Sequence, residues 1–372
     1  MRLLYVTTVG ATMGFFKSLV CRLIEAHHTV DIATNESESN VPDCFREWGC
    51  KVYGISCTRS PLSKGVFSAV REIETIVRQG GYDIVHCHTP IAAACTRIAC
   101  RSFRKNGLKV FYTAHGFHFY KGAPLKNWVV FYPIEWLCAH WTDVLITINK
   151  EDFERAKKEM HALRVTYVPG VGIDTKRFAE TTTDRARKRL EIGVPEDATL
   201  LLSVGELNEN KNHSAVIRAV ARMEDAGIHY AVAGNGALQE ELALLAETLN
   251  VRGQVHLLGY RQDVAELYKA ADVFVFPSIR EGLPVSVMEA MAAGLPIVAA
   301  KNRGTVDLLG ESENPFVERY DDVESFANEL SCLCGDAQLR DRLGKANRER
   351  SRAFDSDAIN QQMADIYQDT LQ

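Results

Sequence analysis

Two consecutive α/β domains, each a doubly wound parallel sheet, are what the sequence predicts, and three observations predict them. Short β-rich runs alternate with helical stretches along the whole chain, the pattern of mainly parallel sheets covered on both faces. A Pro/Gly turn at 168–174 interrupts the alternation near the middle, after which the plan repeats. At 372 residues the chain is too long for one small core.

The first half opens on Leu3-Leu4-Tyr5-Val6-Thr7-Thr8, a buried strand, and turns through Gly10 and Gly14 into a helix near Phe15. The glycine spacing is not that of the dinucleotide fingerprint, so Gly10 is either a structural turn or part of a loop facing a substrate diphosphate. Further strands are expected at 30–34, 51–55, 84–86, 110–113 and 144–148, with helices such as 66–79 and 92–105 between them. Two neighbouring strands end in histidine-bearing loops, His86-Cys87-His88-Thr89-Pro90 and His115-Gly116-Phe117-His118. Neither loop supplies an acidic partner, which argues against zinc. His115 is expected to donate a hydrogen bond to substrate, and His86 or His88 to be polar packing.

Residues 117–141 hold Phe117, Phe119, Tyr120, Trp128, Phe131, Tyr132, Trp136 and Trp141, interleaved with Lys121 and Lys126. Either a helix packs this stripe inward, or the aromatics and lysines form an interfacial surface for a membrane. From Ile84 to Ile134 there is no acidic residue, while Arg97, Arg101, Arg104, Lys105, Lys109, Lys121 and Lys126 are present. A basic surface of this kind attracts anionic lipids, diphosphates or nucleic acid. The net charge of −5 is thus unevenly spread, with 23 Lys/Arg against 17 Asp/Glu up to Thr183.

The run Arg185, Arg187, Lys188, Arg189 reads as a solvated helix face that starts the second half, and a boundary is expected near Phe178. Strands follow at 200–204, 230–233, 255–258, 273–276 and 297–300. Gly205 with Asn210 and Lys211, then Gly234 and Gly236, then Gly259-Tyr260-Arg261, sit at successive strand ends. Glycine lets the backbone approach a ligand closely, helix-start N–H groups suit an anion, and Lys211 adds a point charge. In 273–300 a strand gives way to a loop with Glu281, Gly282, Leu283 and Pro284, then to a helix bearing Glu289. Glu281 and Glu289, if they share one helix face, form a carboxylate pair able to bind the hydroxyls of a sugar and a ribose. The alternative is a loop charge and an ordinary helix residue. The amphipathic stretch 358–371 (Ile359, Met363, Ile366, Tyr367) predicts a last helix.

Ten cysteines without paired spacing point to buried thiols in a reducing cytoplasm. No apolar run is long enough to span a bilayer, and Met1-Arg2 leads into a strand rather than a signal peptide. No Asp-x-Asp follows a strand, so a metal-held nucleotide is not expected.

The segment Pro277-Ser278 … Glu281-Gly282 … Pro284 … Glu289-Ala290-Met291-Ala292 … Gly294 … Pro296 … Val298 resembles the E-x7-E signature of retaining glycosyltransferases of family 4. Gly205 to Lys211 is similar to that family's G-R-L-x-x-x-K, with Glu206 in place of the arginine. The wording HGFHFYKGAPLKNW and GELNENKNH further resembles a bacterial exopolysaccharide or capsule subgroup. The resemblance implies a GT-B fold: two Rossmann-like doubly wound domains with an interdomain cleft. Residues 1–178 would bind the acceptor and 179–350 the nucleotide sugar, and 351–372 would cross back onto the first domain. It implies a metal-independent hexosyltransferase needing no cofactor, which moves a sugar from a UDP-sugar to a glycan or a polyprenyl-diphosphate-linked saccharide. Lys211 would meet the diphosphate, Glu281 the donor-sugar hydroxyls, Glu289 the ribose and Tyr260-Arg261 the base, with His115 beside the sugar. Arg280 or Arg303 would compensate for Glu206. A cytoplasmic protein, peripheral on the inner face of the membrane and without a nucleic-acid partner, follows. A UDP-sugar epimerase of the same fold, a nicotinamide oxidoreductase and a noncatalytic GT-B-like binding subunit are the competing readings.

Overall fold

In the computed structural model, which describes residues 1–58, 65–310 and 312–372, the chain forms two units. The first comprises Met1–Gly172 with Ser356–Gln372, the second Ile173–Asp355.

The first unit is built on seven strands: β1 (Arg2–Val9), β2 (Thr29–Asn35), β3 (Val52–Gly54), β4 (Ile84–His88), β5 (Lys109–Ala114), β6 (Val144–Thr147) and β7 (Arg164–Tyr167). They pair in parallel in the order β3-β2-β1-β4-β5-β6-β7. Alternate residues of each strand enter opposite cores. Leu4, Val85, Val110 and Tyr112 face one core, which the helices Gly65–Gly80, Pro90–Cys100 and Leu125–Ala139 help to cover. Leu3, Tyr5, Ile84 and Phe111 face the other, with the helices Lys17–Glu25 and Ser356–Leu371. The latter helix carries Ile359, Met363, Ile366 and Tyr367 into this core. Strand β7 is absent from the sequence expectation: Arg-Val-Thr-Tyr is a half-exposed edge strand with one aliphatic residue.

For this unit the expected basic surface needs correction, while the sequence leaves the aromatic stripe and Gly10 each open between two readings. The stripe between 117 and 141 turns mostly inward: Phe117 and Phe119 are buried, and Trp128, Phe131 and Tyr132 pack on the same core. The basic run is not one surface either. Arg97 is 1% exposed and ion-paired to Glu135 at 2.8 Å, and Arg104 is held by Asp143 at 2.9 Å. At Gly10 a 3-10 helix, Gly10–Phe16, precedes the first α-helix. A Cβ on Gly10 would lie 2.5 Å from the Ser39 carbonyl oxygen, so the backbone of residues 39–41 excludes any side chain there.

The second unit has six strands: β8 (Thr199–Val204), β9 (Ile228–Ala233), β10 (Val255–Leu257), β11 (Val273–Phe276), β12 (Ile297–Ala300) and β13 (Phe316–Val317). All pair in parallel, in the order β10-β9-β8-β11-β12-β13. The two-residue β13 is too short to leave a periodic signal in the sequence. Phe178, on the helix Thr175–Glu180, packs in this unit with its ring 5.8 Å from that of Tyr268. The run at 185–189 is not a solvated face: Lys188 and Arg189 are buried. Lys188 Nζ reaches Asp263 at 2.8 Å and Glu266 at 2.7 Å, and Arg189 reaches Asp272 at 2.6 Å. These pairs tie the helix Arg185–Glu191 to the helix Val264–Ala270 and to the loops at its two ends. All ten cysteines are free thiols.

Candidate active site

In each sheet the winding direction reverses beside the first strand of its unit, and ligands of doubly wound sheets bind outside the carboxyl ends at such a switch point. In the second unit the switch lies between β8 and β11, and the turns there are laced together. Ile279 N–H donates to the Asn210 carbonyl at 2.8 Å, and Asn210 Nδ2 donates to the Arg280 carbonyl at 3.0 Å. Asn208 caps the short 3-10 turn Glu209–Lys211 by accepting from Lys211 N–H at 3.0 Å. Asn212, in the left-handed region at φ 53°, donates to the carbonyls of Pro277 (3.3 Å) and Tyr320 (2.7 Å).

This lacing brings Lys211 Nζ to 2.7 Å from Glu281 Oε1. The aliphatic stem of Lys211 crosses Gly205, where a Cβ would meet its Cε at 3.3 Å. The turn after β9 approaches more closely still. A Cβ on Gly234 would fall 1.9 Å from the Gly205 carbonyl oxygen, and one on Gly236 2.2 Å from that of Leu207. Below this turn His213 is 3% exposed and reaches the Glu206 carbonyl at 3.2 Å and the Tyr230 hydroxyl at 2.9 Å. Burial pushes His213 down to about 4, so it stays neutral under the turn. Glu206 itself is exposed and accepts from Asn208 Nδ2 at 2.8 Å.

Glu289 and Glu281 do not share a helix face. The helix Val285–Ala293 starts after Glu281, with Pro284 at its N-cap and Leu283 buried. Gly282 stays in the loop, where its carbonyl oxygen would lie 2.9 Å from a Cβ on Gly304. Arg303 Nε donates to the Glu281 carbonyl at 3.2 Å, placing a guanidinium at that loop. Glu289 accepts from the Tyr268 hydroxyl at 2.9 Å, and burial pushes its carboxyl up to about 7. Tyr268 gives no sequence signal, because only the fold brings the two helices together. Farther along the edge, Gly234 N–H donates to the Gly259 carbonyl at 2.8 Å and Tyr260 is exposed. The Arg261 guanidinium is engaged by Asp263 at 2.5 Å and Glu191 at 2.5 Å.

In the first unit the switch lies between β1 and β4. Strand β4 continues through His88, so His86 and His88 lie side by side with ring centroids 4.1 Å apart. His86 has both ring nitrogens satisfied, by the Tyr367 hydroxyl at 2.5 Å and Thr113 Oγ1 at 2.8 Å. Tyr367 also reaches the Tyr5 hydroxyl at 2.7 Å. His88 Nδ1 lies 3.1 Å from His115 Nε2, while its own Nε2 is buried without a partner. His88 and His115 line an apolar pocket with Phe16, Ile148, Val171 and Met363. Burial lowers His115 to about 4 and His86 to about 3, and His88 also falls well below its ordinary value. The next residue, Thr89, has φ 64°, unusual for a β-branched side chain, and is pinned by the Thr8 hydroxyl at 2.6 Å. The loop after β5 is fastened by Phe117 N–H donating to Asp152 at 2.9 Å. Among the described residues no three His, Cys, Asp or Glu side chains converge on a metal-ion position.

Residues 184–350 match the model of glycosyl transferases group 1, and residues 15–177 that of glycosyltransferase family 4. The EpsD protein of Bacillus subtilis (strain 168) is 39% identical over 320 residues, covering 85% of this chain and 84% of its own. The UDP-Gal:alpha-D-GlcNAc-diphosphoundecaprenol alpha-1,3-galactosyltransferase of Escherichia coli is 28% identical over 76% of this chain and 74% of its own. A crystal structure of Anabaena HepE in complex with UDP superposes with a TM-score of 0.82 over 99% of this chain and 100% of that one, at 20% identity, a likeness of GT-B fold. The chain belongs to the glycosyltransferases of family 4, its second unit being the group 1 glycosyl transferase domain.

Proposed function

We propose that the protein is a retaining, metal-independent hexosyltransferase. It moves a sugar from a UDP-sugar to a polyprenyl-diphosphate-linked saccharide or growing glycan of a bacterial surface polysaccharide. The observation that carries this reading is the Lys211–Glu281 pair at the β8/β11 edge, beside backbone turns that only glycine permits at 234 and 236. A nucleoside diphosphate is an anion able to compete with Glu281 for the Lys211 ammonium group at this edge. The E. coli relative, whose name gives a UDP-linked donor and a diphosphoundecaprenol-linked acceptor, supports the substrate classes.

On this reading Lys211 exchanges Glu281 for the diphosphate, freeing the carboxylate for donor-sugar hydroxyls. Arg303, already at the Glu281 carbonyl, supplies the cation that Glu206 fails to provide. Glu289 binds the ribose hydroxyls, and the turn at Tyr260 frames the base through its backbone, because the Arg261 side chain is engaged elsewhere. His115, neutral, donates a hydrogen bond to substrate. The bond between the anomeric carbon and the UDP oxygen breaks, the acceptor oxygen bonds to that carbon on the same face, and the acceptor proton passes to the departing phosphate. The protein works in the cytoplasm, at the inner face of the membrane that holds its acceptor.

The test is to incubate purified protein with a panel of UDP-sugars and membrane extract, following UDP release and product mass, with and without chelator. The expected outcome is UDP release that needs the extract, survives the chelator and gives a product heavier by one hexose. Interconversion of UDP-sugars without extract would make the protein an epimerase. In-cell polymer synthesis unaffected by Glu281→Ala would make it a noncatalytic subunit.

A further inference from the structure

The exposed side of the helix Leu125–Ala139 is apolar along its length. At 3.6 residues per turn, Leu125, Val129, Val130, Ile134, Trp136 and Leu137 fall on one half of the cylinder, and every one is exposed, Leu125 by 78% and Val129 by 67%. Pro133 lies among them, and Lys126 is the one charged residue on this half. The helix's acidic residue, Glu135, is turned inward onto Arg97. An apolar groove beside the helix, lined by Val66, Ile91, Ile98, Phe131 and Ile134, extends the patch toward Phe67, which is 80% exposed. Monomeric proteins rarely leave so continuous an apolar surface without a use for it.

Charge gathers at the ends of the helix rather than along it. Lys121 and Lys126 are exposed at its start, and Arg101 and Lys105 line a shallow basic pocket with Trp141 just beyond its end. Of the acids that follow in sequence, Asp143 is paired with Arg104, and Glu151 and Asp152 accept from the backbone N–H groups of Lys121 and Phe117. A protein interface carries about one hydrogen bond per 100–200 Å², and this half of the helix offers side-chain donors only at Trp136 and Lys126. An aliphatic face with a basic flank at each end instead matches the acyl boundary and headgroups of an anionic bilayer.

We propose that this face seats the first unit on an anionic lipid surface, with the helix lying in the interface plane and its aliphatic side chains in the acyl boundary. The inference deepens the membrane-linked acceptor reading and rests on it for its purpose, but lipid binding requires no turnover, so the two can fail separately. The experiment is co-sedimentation of purified protein with phosphatidylcholine vesicles, with and without phosphatidylglycerol. Binding is expected, stronger with phosphatidylglycerol. Val129→Asp and Leu137→Asp should each lower the partition coefficient by about tenfold or more, because a charge replaces an aliphatic group that the acyl boundary would cover. Both variants should keep the wild-type melting temperature, since the sites are exposed. Lys105→Glu with Lys126→Glu should remove mainly the phosphatidylglycerol-dependent part. Vesicles with brominated acyl chains should quench tryptophan emission, and Trp136→Phe should abolish most of that quenching while binding persists. The inference is overturned if vesicles are not bound, if Val129→Asp leaves binding unchanged, or if the same substitution instead abolishes self-association in solution. Vesicle binding without sugar transfer would leave this surface standing and remove the proposed reaction; transfer without vesicle binding would do the reverse.

Discussion

The carboxyl edges of the two sheets share a topology and carry opposite chemistry. At the second sheet, turns with no room for a side chain surround an ammonium–carboxylate pair, Lys211 and Glu281. At the first, His86, His88 and His115 line an apolar pocket, and burial keeps all three neutral. The difference shows that winding order fixes where a site lies but not its electrostatics, which come from the few residues beyond each strand. An edge with a cation among close backbone turns suits an anion; one with neutral imidazoles suits hydroxyl groups.

Four measurements would break or sharpen this contrast. The largest effect is expected at the buried pair of the first unit, whose charges serve the fold rather than the edge. Glu135→Ala strands Arg97 in the core and should cost about 3–5 kcal/mol in chemical denaturation. Wild-type stability with lost turnover would instead place that pair in the site. Second, Lys211→Ala should slow turnover about a hundredfold or more, with little change in melting temperature, since one preorganised charge at the leaving group is worth a few kcal/mol. A loss under about threefold would dissolve the charged half of the contrast.

Third comes Glu289, whose carboxyl is raised from 4.5 to about 7 by burial. The unfolded chain ionises first, so stability contributed below about pH 4.5 should decline as pH rises toward 7, by up to about 3 kcal/mol. Glu289→Gln should flatten that slope. UDP should also protect the wild-type fold better as pH climbs through 7, because ribose hydroxyls favour the ionised carboxylate. A parallel slope in both proteins would show Glu289 ionised at ordinary pH. The smallest effect concerns His115. Lowered to about 4, it should contribute stability above about pH 6.5 that fades as pH falls toward 4. His115→Asn should therefore change the height of the rate–pH profile between about pH 6 and 8, not its shape. An inflection near 6.5 that vanishes in the variant would give this edge a titrating group.

The strand plan was legible because parallel strands buried on both faces are continuous apolar runs, as in Leu200-Leu201-Leu202 and Phe274-Val275-Phe276. Only β7 and β13 escaped, one a polar edge strand and the other two residues long. The glycine turns and Lys211 were readable from their place after strands, and Asn208, three residues before Lys211, has N-cap spacing. What failed was sidedness. Arg97, Lys188 and Arg189 look solvated in sequence, yet each is buried against a carboxylate from another element. Tyr268 beside Glu289 and Tyr367 beside His86 are likewise products of long-range packing. The aromatic stripe left two readings open for a related reason: its helix is apolar nearly all round, so periodicity could not tell the packed side from the open one.

Tyr367 completes a hydrogen-bonded row with Tyr5 and His86, although it follows Tyr5 by 362 positions in sequence. During translation the first sheet must therefore wait, one flank uncovered, until all of Ile173–Asp355 has emerged from the ribosome. The half synthesised first is the half that finishes folding last, and a nascent chain stalled before residue 356 would present Leu3, Tyr5 and Phe111 to chaperones rather than to their native helix.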